Sequence, residues 1–93
     1  MKDTISRLQE LSEDCILRHV AGYDWLVRVK QDGAKYIQPV RLNDTGAAIW
    51  RAISEGKGEE ELLSLLAEEG EPTEETFQDL AEFLSQLCTA LDE

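Results

Sequence analysis

The chain has 93 residues, enough for one small domain with a modest core, which leaves little room for a deep active site. Its net charge is −11, and residues 55–93 hold thirteen acidic residues and a single lysine. Because nucleic acid selects basic faces, this acidic half argues against a role in which its helices bind DNA or RNA.

Hydropathy and cysteine content argue against a membrane protein, a secreted protein and a zinc-binding protein. No stretch approaches the roughly 18 apolar residues of a membrane span, and the first residues lack the apolar core of a signal peptide. We therefore expect a cytoplasmic protein. Cys15 and Cys88 are isolated and His19 is the single histidine, so the roughly four ligands of a zinc site are missing. We expect two reduced thiols and neither metal nor cofactor.

The chain begins with a weak helical pattern. Ile5, Leu8 and Leu11 recur at a spacing of three, which predicts for residues 1–14 either a short helix or a mobile lead-in segment.

Three strand patterns follow. Residues 15–20 read as a strand, and Ala21-Gly22-Tyr23 as a turn. In residues 24–30 an apolar set alternates with a polar set, which predicts a half-buried antiparallel strand. The apolar set, expected to face the core, is Trp25, Val27 and Val29, and the polar set is Asp24, Arg28 and Lys30.

The third strand is predicted over residues 36–42, after a turn at Asp32-Gly33. Pro39 lacks an N–H and cannot sit in a strand that is paired fully on both sides. The proline therefore predicts that this strand is an edge of the sheet or is interrupted.

Three helices are predicted after the strands. Asn43 or Asp44 caps the first helix and Gly56 ends it, the second covers residues 59–69, and Thr73 caps the third. The third helix carries a core stripe, with Phe83 at its margin. The stripe consists of Phe77, Leu80, Leu84, Leu87 and Leu91.

Gly46 stands in the first turns of the first helix, where glycine costs about 1 kcal/mol relative to alanine. We expect it to let the helix approach the sheet or a neighbouring helix, with Trp50 filling the space one turn later.

The order of elements predicts an α+β fold in which a three-stranded antiparallel sheet is followed by three helices that cover it, of the winged helix-turn-helix kind. We find no Gly-rich phosphate loop and no nucleophile elbow, and helix dipoles explain the glutamate clusters. The sequence therefore predicts a binding protein and not an enzyme.

The stretch LNDTGAAIW, residues 42–50, resembles the PqqD-like proteins, also called RiPP recognition elements. The family pattern is Leu-Asn, a polar residue, Thr-Gly-Ala and a later Trp, and residues 17–22 resemble a first-strand segment of the family. The likeness covers residues 15–91, whereas residues 1–14 have no family counterpart. Gly58 stands where the family has Thr or Ser, and the usual Gly-Leu ending is absent.

The resemblance implies a chaperone for the leader of a ribosomally made precursor peptide, delivered to a modifying enzyme, often a radical SAM protein. The leader would add as a strand beside the third strand, against the third helix. The peptide-binding residues would be Tyr36, Ile37, Gln38, Val40, Arg41, Thr76, Phe83 and Leu87. A basic cluster of Arg28, Lys30, Lys35 and Arg41 could meet acidic leader residues.

Two alternatives stay open. A winged-helix DNA-binding module would need a basic third helix, yet that helix carries Glu74, Glu75, Asp79 and Glu82 and neither Lys nor Arg. A regulatory subunit or homodimer could use the same edge strand to pair with a second chain.

Overall fold

The computed structural model describes residues 1–29, 38–68 and 70–92. The predicted turn at Asp32-Gly33 and the residues Lys30, Lys35, Tyr36 and Ile37 lie outside these ranges. In chain order the helices and strands are α1 (Lys2–Ser12), β1 (Cys15–Val20), β2 (Tyr23–Arg28), β3 (Val40–Leu42), α2 (Asp44–Ser54), α3 (Glu59–Ala67) and α4 (Glu74–Asp92).

The sheet is antiparallel and has the strand order β1-β2-β3. Three helices follow it, so the predicted α+β class is confirmed. The first hairpin has a two-residue loop, in which Ala21 has φ 55° and Gly22 has φ 84°. Positive φ at both positions is the signature of a type I′ turn, whose twist matches that of the flanking strands.

The N-terminal residues form a full helix that packs on the body of the protein. Ile5, Leu8 and Leu11 of α1 are buried in the main core cluster. The helix lies against α2, α4 and β1. Of the two possibilities that the sequence left open for residues 1–14, the structure shows the helix.

The prediction for the buried face of β2 is wrong. Leu26 is fully buried, whereas Val29 is 57% exposed and Trp25 and Val27 are only partly buried. Residues 25–27 are all apolar, so the alternation can be read in either phase. The polar residues Asp24 and Arg28, two positions on either side of Leu26, favoured the phase that the structure does not show. Asp24 and Arg28 both find partners on the Leu26 face: Oδ1 of Asp24 lies 3.0 Å from Nδ1 of His19, and Arg28 donates to the Leu91 carbonyl.

Helix α2 begins and ends as its sequence indicates. The Asn43 side chain accepts a hydrogen bond from the Gly46 N–H at 2.7 Å, so Asn43 is the N-cap. At the other end the Gly56 N–H donates to the Ile53 carbonyl and the Lys57 N–H to the Ala52 carbonyl, each at 3.0 Å. With Gly56 at φ +84°, this is a Schellman motif.

Helix α4 is also capped as predicted, by reciprocal bonds between Thr73 and Thr76. Each backbone N–H donates to the other residue's hydroxyl at 3.2 Å. The predicted core stripe is right for the four leucines, which are buried, and wrong for Phe77, which is 42% exposed. Phe77 lies in the first turn of α4, where Glu74 and Glu75 are exposed as well.

Candidate functional site

The site predicted from the sequence lies where β3 meets α4. Within the part of the chain that the structure describes, β3 has one hydrogen-bonded neighbour, β2, and is thus an edge of the sheet. Pro39 immediately precedes the strand, which leaves only three paired residues. Alternate residues of an edge strand direct their N–H and C=O groups away from the sheet. Among the described residues, nothing is hydrogen-bonded to the side of β3 that faces away from β2.

Two adjoining grooves run between β3 and α4, and Arg41, Leu42 and Phe83 line both of them. The smaller groove, of about 270 Å³, is completed by Val40, Gln86, Leu87 and Ala90. The larger, of about 410 Å³, continues along α2 to the end of α3 and is completed by Asn43, Thr45, Gly46, Ile49, Leu66 and Glu68.

Phe83 lines both grooves, and its ring lies close to Gly46 at the start of α2. A Cβ added at Gly46 would lie 3.4 Å from two carbons of the Phe83 ring and 3.1 Å from the capping oxygen of Asn43. The glycine thus lets α2 approach α4 while its own N–H is bonded to Asn43. The close approach expected at Gly46 is therefore to α4, and Trp50 is buried in the core.

Arg41 is held at the open edge by Tyr23 of the neighbouring strand. Its guanidinium carbon lies 4.7 Å from the centre of the Tyr23 ring, a cation–π stack. Stacking uses the face of the guanidinium and leaves the N–H groups along its edge available to an acceptor. The residue is exposed, so it can contact a molecule that binds at the edge.

The structure brings together four of the eight residues that we expected to contact a peptide. Val40, Arg41, Phe83 and Leu87 line the smaller groove. Gln38 lines a different groove with Pro39, and Thr76 is used in the α4 cap. Tyr36 and Ile37 lie outside the described residues. Leu87 is only 3% exposed, so its main contribution is to the core.

Sequence reasoning missed Gln86 and Ala90, which line the smaller groove beside Phe83 and Leu87. The four positions share one helical face because they are three or four residues apart. A search for apolar residues passes over a glutamine and an alanine, although helical spacing from Phe83 indicates both.

The predicted basic cluster is not a single surface. Arg28 and Arg41 lie on opposite faces of the sheet, since Arg28 reaches the Leu91 carbonyl of α4 and Arg41 pairs with Trp25 on the outer face. Lys30 and Lys35 lie outside the described residues. Arg41 alone of the four lines the grooves beside β3.

Metal ligands and reactive thiols are two features of the described residues that bear on catalysis. No group of three or more His, Cys, Asp or Glu side chains within residues 1–29, 38–68 and 70–92 could hold a metal ion. Burial raises the pKa of the Cys15 thiol, with Arg28 acting against it and Asp14 adding to it. A raised pKa is the opposite of what activates a cysteine nucleophile.

None of the helices, within the ranges that the structure covers, is both long and apolar enough to cross a membrane. A separate groove of about 690 Å³ lies between α2 and α3 and has both acidic and basic side chains on its rim. It adjoins no strand edge.

The fold and the site together define a class: small α+β domains in which an open edge strand and the last helix enclose an apolar groove. Comparison with known families agrees. Residues 27–90 match the family model described as coenzyme PQQ synthesis protein D (PqqD). The match spans more than half of the chain, and the chain belongs to the PqqD family, as a PqqD-like RiPP recognition element. The family consists of accessory proteins in the biosynthesis of coenzyme PQQ and other modified peptides.

No curated protein and no solved structure matches the chain closely enough to be considered a relative. The function is therefore inferred from the family and from the geometry beside β3.

Proposed function

We propose that this protein is a non-catalytic chaperone that binds the leader of a precursor peptide as an added strand beside β3 and presents it to a modifying enzyme, such as a radical SAM protein. The observation that carries the proposal is the open side of β3 next to the apolar grooves against α4. Strand addition obtains affinity from main-chain hydrogen bonds and selectivity from pockets for alternate side chains.

The short length of β3 limits how much of the binding energy can come from ladder hydrogen bonds, as opposed to apolar burial. The strand has three paired residues and Pro39 offers no N–H before them. A guest strand therefore forms few ladder bonds with the described residues, and each contributes only about 1 kcal/mol net. Apolar burial against Phe83 and its neighbours supplies the larger share, at roughly 25 cal/mol per Å².

The acidic surface of α4 separates this proposal from DNA binding. The helix carries Glu74, Glu75, Asp79 and Glu82 with no basic residue to offset them. A helix of this charge is repelled by the phosphate backbone. Homodimerisation through β3 would occupy the same edge, so we expect the protein to be monomeric when it is ready to bind a leader.

The proposal is tested with the leader region of a candidate precursor peptide. The peptide is titrated into ¹⁵N-labelled protein while backbone amide shifts are followed. We expect the largest shifts at residues 40–42 and along the groove face of α4 from Phe83 to Ala90. Shifts confined to α3 or to the outer face of the sheet would refute the proposed site, and absence of binding would refute the function.

Two phenylalanines of α4 provide a matched pair of variants. Phe83 lines both grooves, whereas Phe77 is exposed in the first turn. We expect Phe83→Ala to weaken leader binding by about tenfold, the loss typical of an anchor residue, and Phe77→Ala to leave affinity unchanged. Titration calorimetry measures both, after circular dichroism has shown that each variant is folded. Equal losses for the two variants would contradict the assignment.

A further inference from the structure

We propose that the edge of β3 selects leader segments with the pattern apolar–acidic–apolar, in which the acidic residue lies opposite Arg41 and the apolar residues lie opposite Val40 and Leu42. This inference rests on the proposed function and specifies the class of peptide that the site takes. It follows from the register of the sheet, the lining of the grooves and the charge of the outer face.

The register assigns the faces. Val40 pairs with Leu26 and Leu42 with Asp24, both of which face the helices, whereas Arg41 pairs with Trp25 on the outer face. Side chains directly opposite each other in a ladder share a face. A guest strand therefore turns the residue opposite Arg41 outward and its two neighbours toward α4.

The two inward positions meet apolar surface. Guest side chains opposite Val40 and Leu42 point toward the smaller groove, where Phe83, Leu87 and Ala90 provide the opposite wall. Charged side chains there would lose hydration without a partner of opposite sign, which is costly. Leucine, isoleucine, valine or an aromatic residue suits both positions.

The outward position meets positive charge. No Asp or Glu stands on the described outer face of the sheet, which carries Ile16, Arg18, Val20, Tyr23, Trp25, Val27 and Arg41. Tyr23 stacks on the Arg41 guanidinium at 4.7 Å and orients it at the edge. In the described part of the chain no carboxylate forms an ion pair with Arg41. An Arg–carboxylate contact is charge-assisted and can be bidentate.

The pattern does not depend on which way the guest runs. An apolar–acidic–apolar triplet reads the same in both directions, and in parallel and antiparallel ladders alike neighbouring side chains alternate between the faces. The prediction thus concerns the order of residue types alone.

The test uses synthetic 12-residue peptides with neutral, polar flanks and blocked ends. Their central triplet is Leu-Glu-Leu, Leu-Lys-Leu or Glu-Leu-Glu. We expect the first peptide to bind at least about tenfold more tightly than the other two at low salt, as measured by fluorescence anisotropy. The difference between the first and second should shrink as salt is raised, because the Arg41–Glu contact is exposed to solvent.

Charge-reversal variants of the protein identify the residue responsible for the preference between the peptides. Arg41→Glu should reverse the preference between the first two peptides. Arg18→Glu is the matched control: it makes the same change on the same face, but β1 lies two strands away, roughly 10 Å across the sheet. It should leave the preference unchanged. Circular dichroism confirms that both variants are folded.

The results separate this inference from the proposed function. If the natural leader shifts residues 40–42 but the Glu and Lys peptides bind equally, or none binds, the sequence preference is refuted while the function stands. The same holds if Arg41→Glu does not reverse the preference. If the leader does not bind at all, the function itself is refuted.

Discussion

Gly46 shows how a single residue sets the spacing between two helices. Its N–H satisfies the cap of α2, and its missing side chain admits the Phe83 ring of α4. The sequence predicted a close approach there because glycine is unfavourable in a helix unless something requires it. It did not identify the neighbour, since the contact joins residues that lie far apart in the chain.

Enlarging this residue should therefore destabilise the protein. Gly46→Leu forces side-chain atoms into Phe83 and the Asn43 cap, and we expect a loss of about 3 kcal/mol in the free energy of unfolding, the upper end for overpacking. Gly46→Ala should cost less, because its Cβ would displace the Asn43 oxygen by only a few tenths of an ångström while improving helix propensity. Urea denaturation measures both, and an unchanged midpoint for Gly46→Leu would contradict the account.

Ala21 has a backbone conformation that few residues other than glycine adopt. It sits at φ 55° in the type I′ turn, a region in which an L-residue other than Asn, Asp or Gly costs about 1 kcal/mol. Ala21→Asn creates the Asn-Gly pair that this turn prefers. We expect it to raise stability by roughly 0.5–1 kcal/mol and the Tm by about 4 °C. The change Ala48→Asn on α2 is a control that should lower the Tm, because asparagine is a poorer helix former.

At the scale of elements, helices were easier to predict than the sheet. Helix starts and ends are local features, and Asn43, Gly56 and Thr73 each act where the sequence placed them. The buried face of β2 depends on which side of the sheet the helices cover, which no local pattern encodes. The consecutive apolar residues 25–27 therefore gave the wrong phase.

Helix α1 contributes to stability although it precedes the part that resembles the family. Leu8 is fully buried among the other helices. We expect Leu8→Ala to lower the free energy of unfolding by about 2–5 kcal/mol, the range for buried leucines. The exposed neighbour Ser6 provides the control, since Ser6→Ala should change stability by less than about 0.5 kcal/mol. Thermal denaturation compares them, and equal melting temperatures would show that α1 is dispensable.

At the scale of the whole molecule, charge is divided between two surfaces. Acidic residues crowd α3 and α4, whereas the described outer face of the sheet carries only apolar, aromatic and basic side chains. The sequence revealed the asymmetry between its halves. The sequence alone did not reveal that Arg28 and Arg41 face opposite sides of the sheet, because the consecutive apolar residues 25–27 leave the phase of β2 ambiguous.

The candidate site was predictable in outline and not in detail. Pro39 indicated an edge strand, and the helical stripe indicated Phe83 and Leu87. Thr76 also uses its hydroxyl in the cap of α4, a role that depends on Thr73 three residues earlier. Gln86 and Ala90 share the groove face of α4 with Phe83, and a search restricted to apolar residues of the stripe passed over them.

The central claim is that a leader peptide extends the sheet at β3, and amide hydrogen exchange tests it most directly. Exchange is measured at residues 40–42 with and without saturating leader. New ladder bonds should slow the amides on the open side of β3 by a factor of ten or more, while amides of the β1–β2 hairpin loop keep their rates. If the leader binds yet the amides on the open side of β3 exchange at unchanged rates, the peptide does not add as a strand.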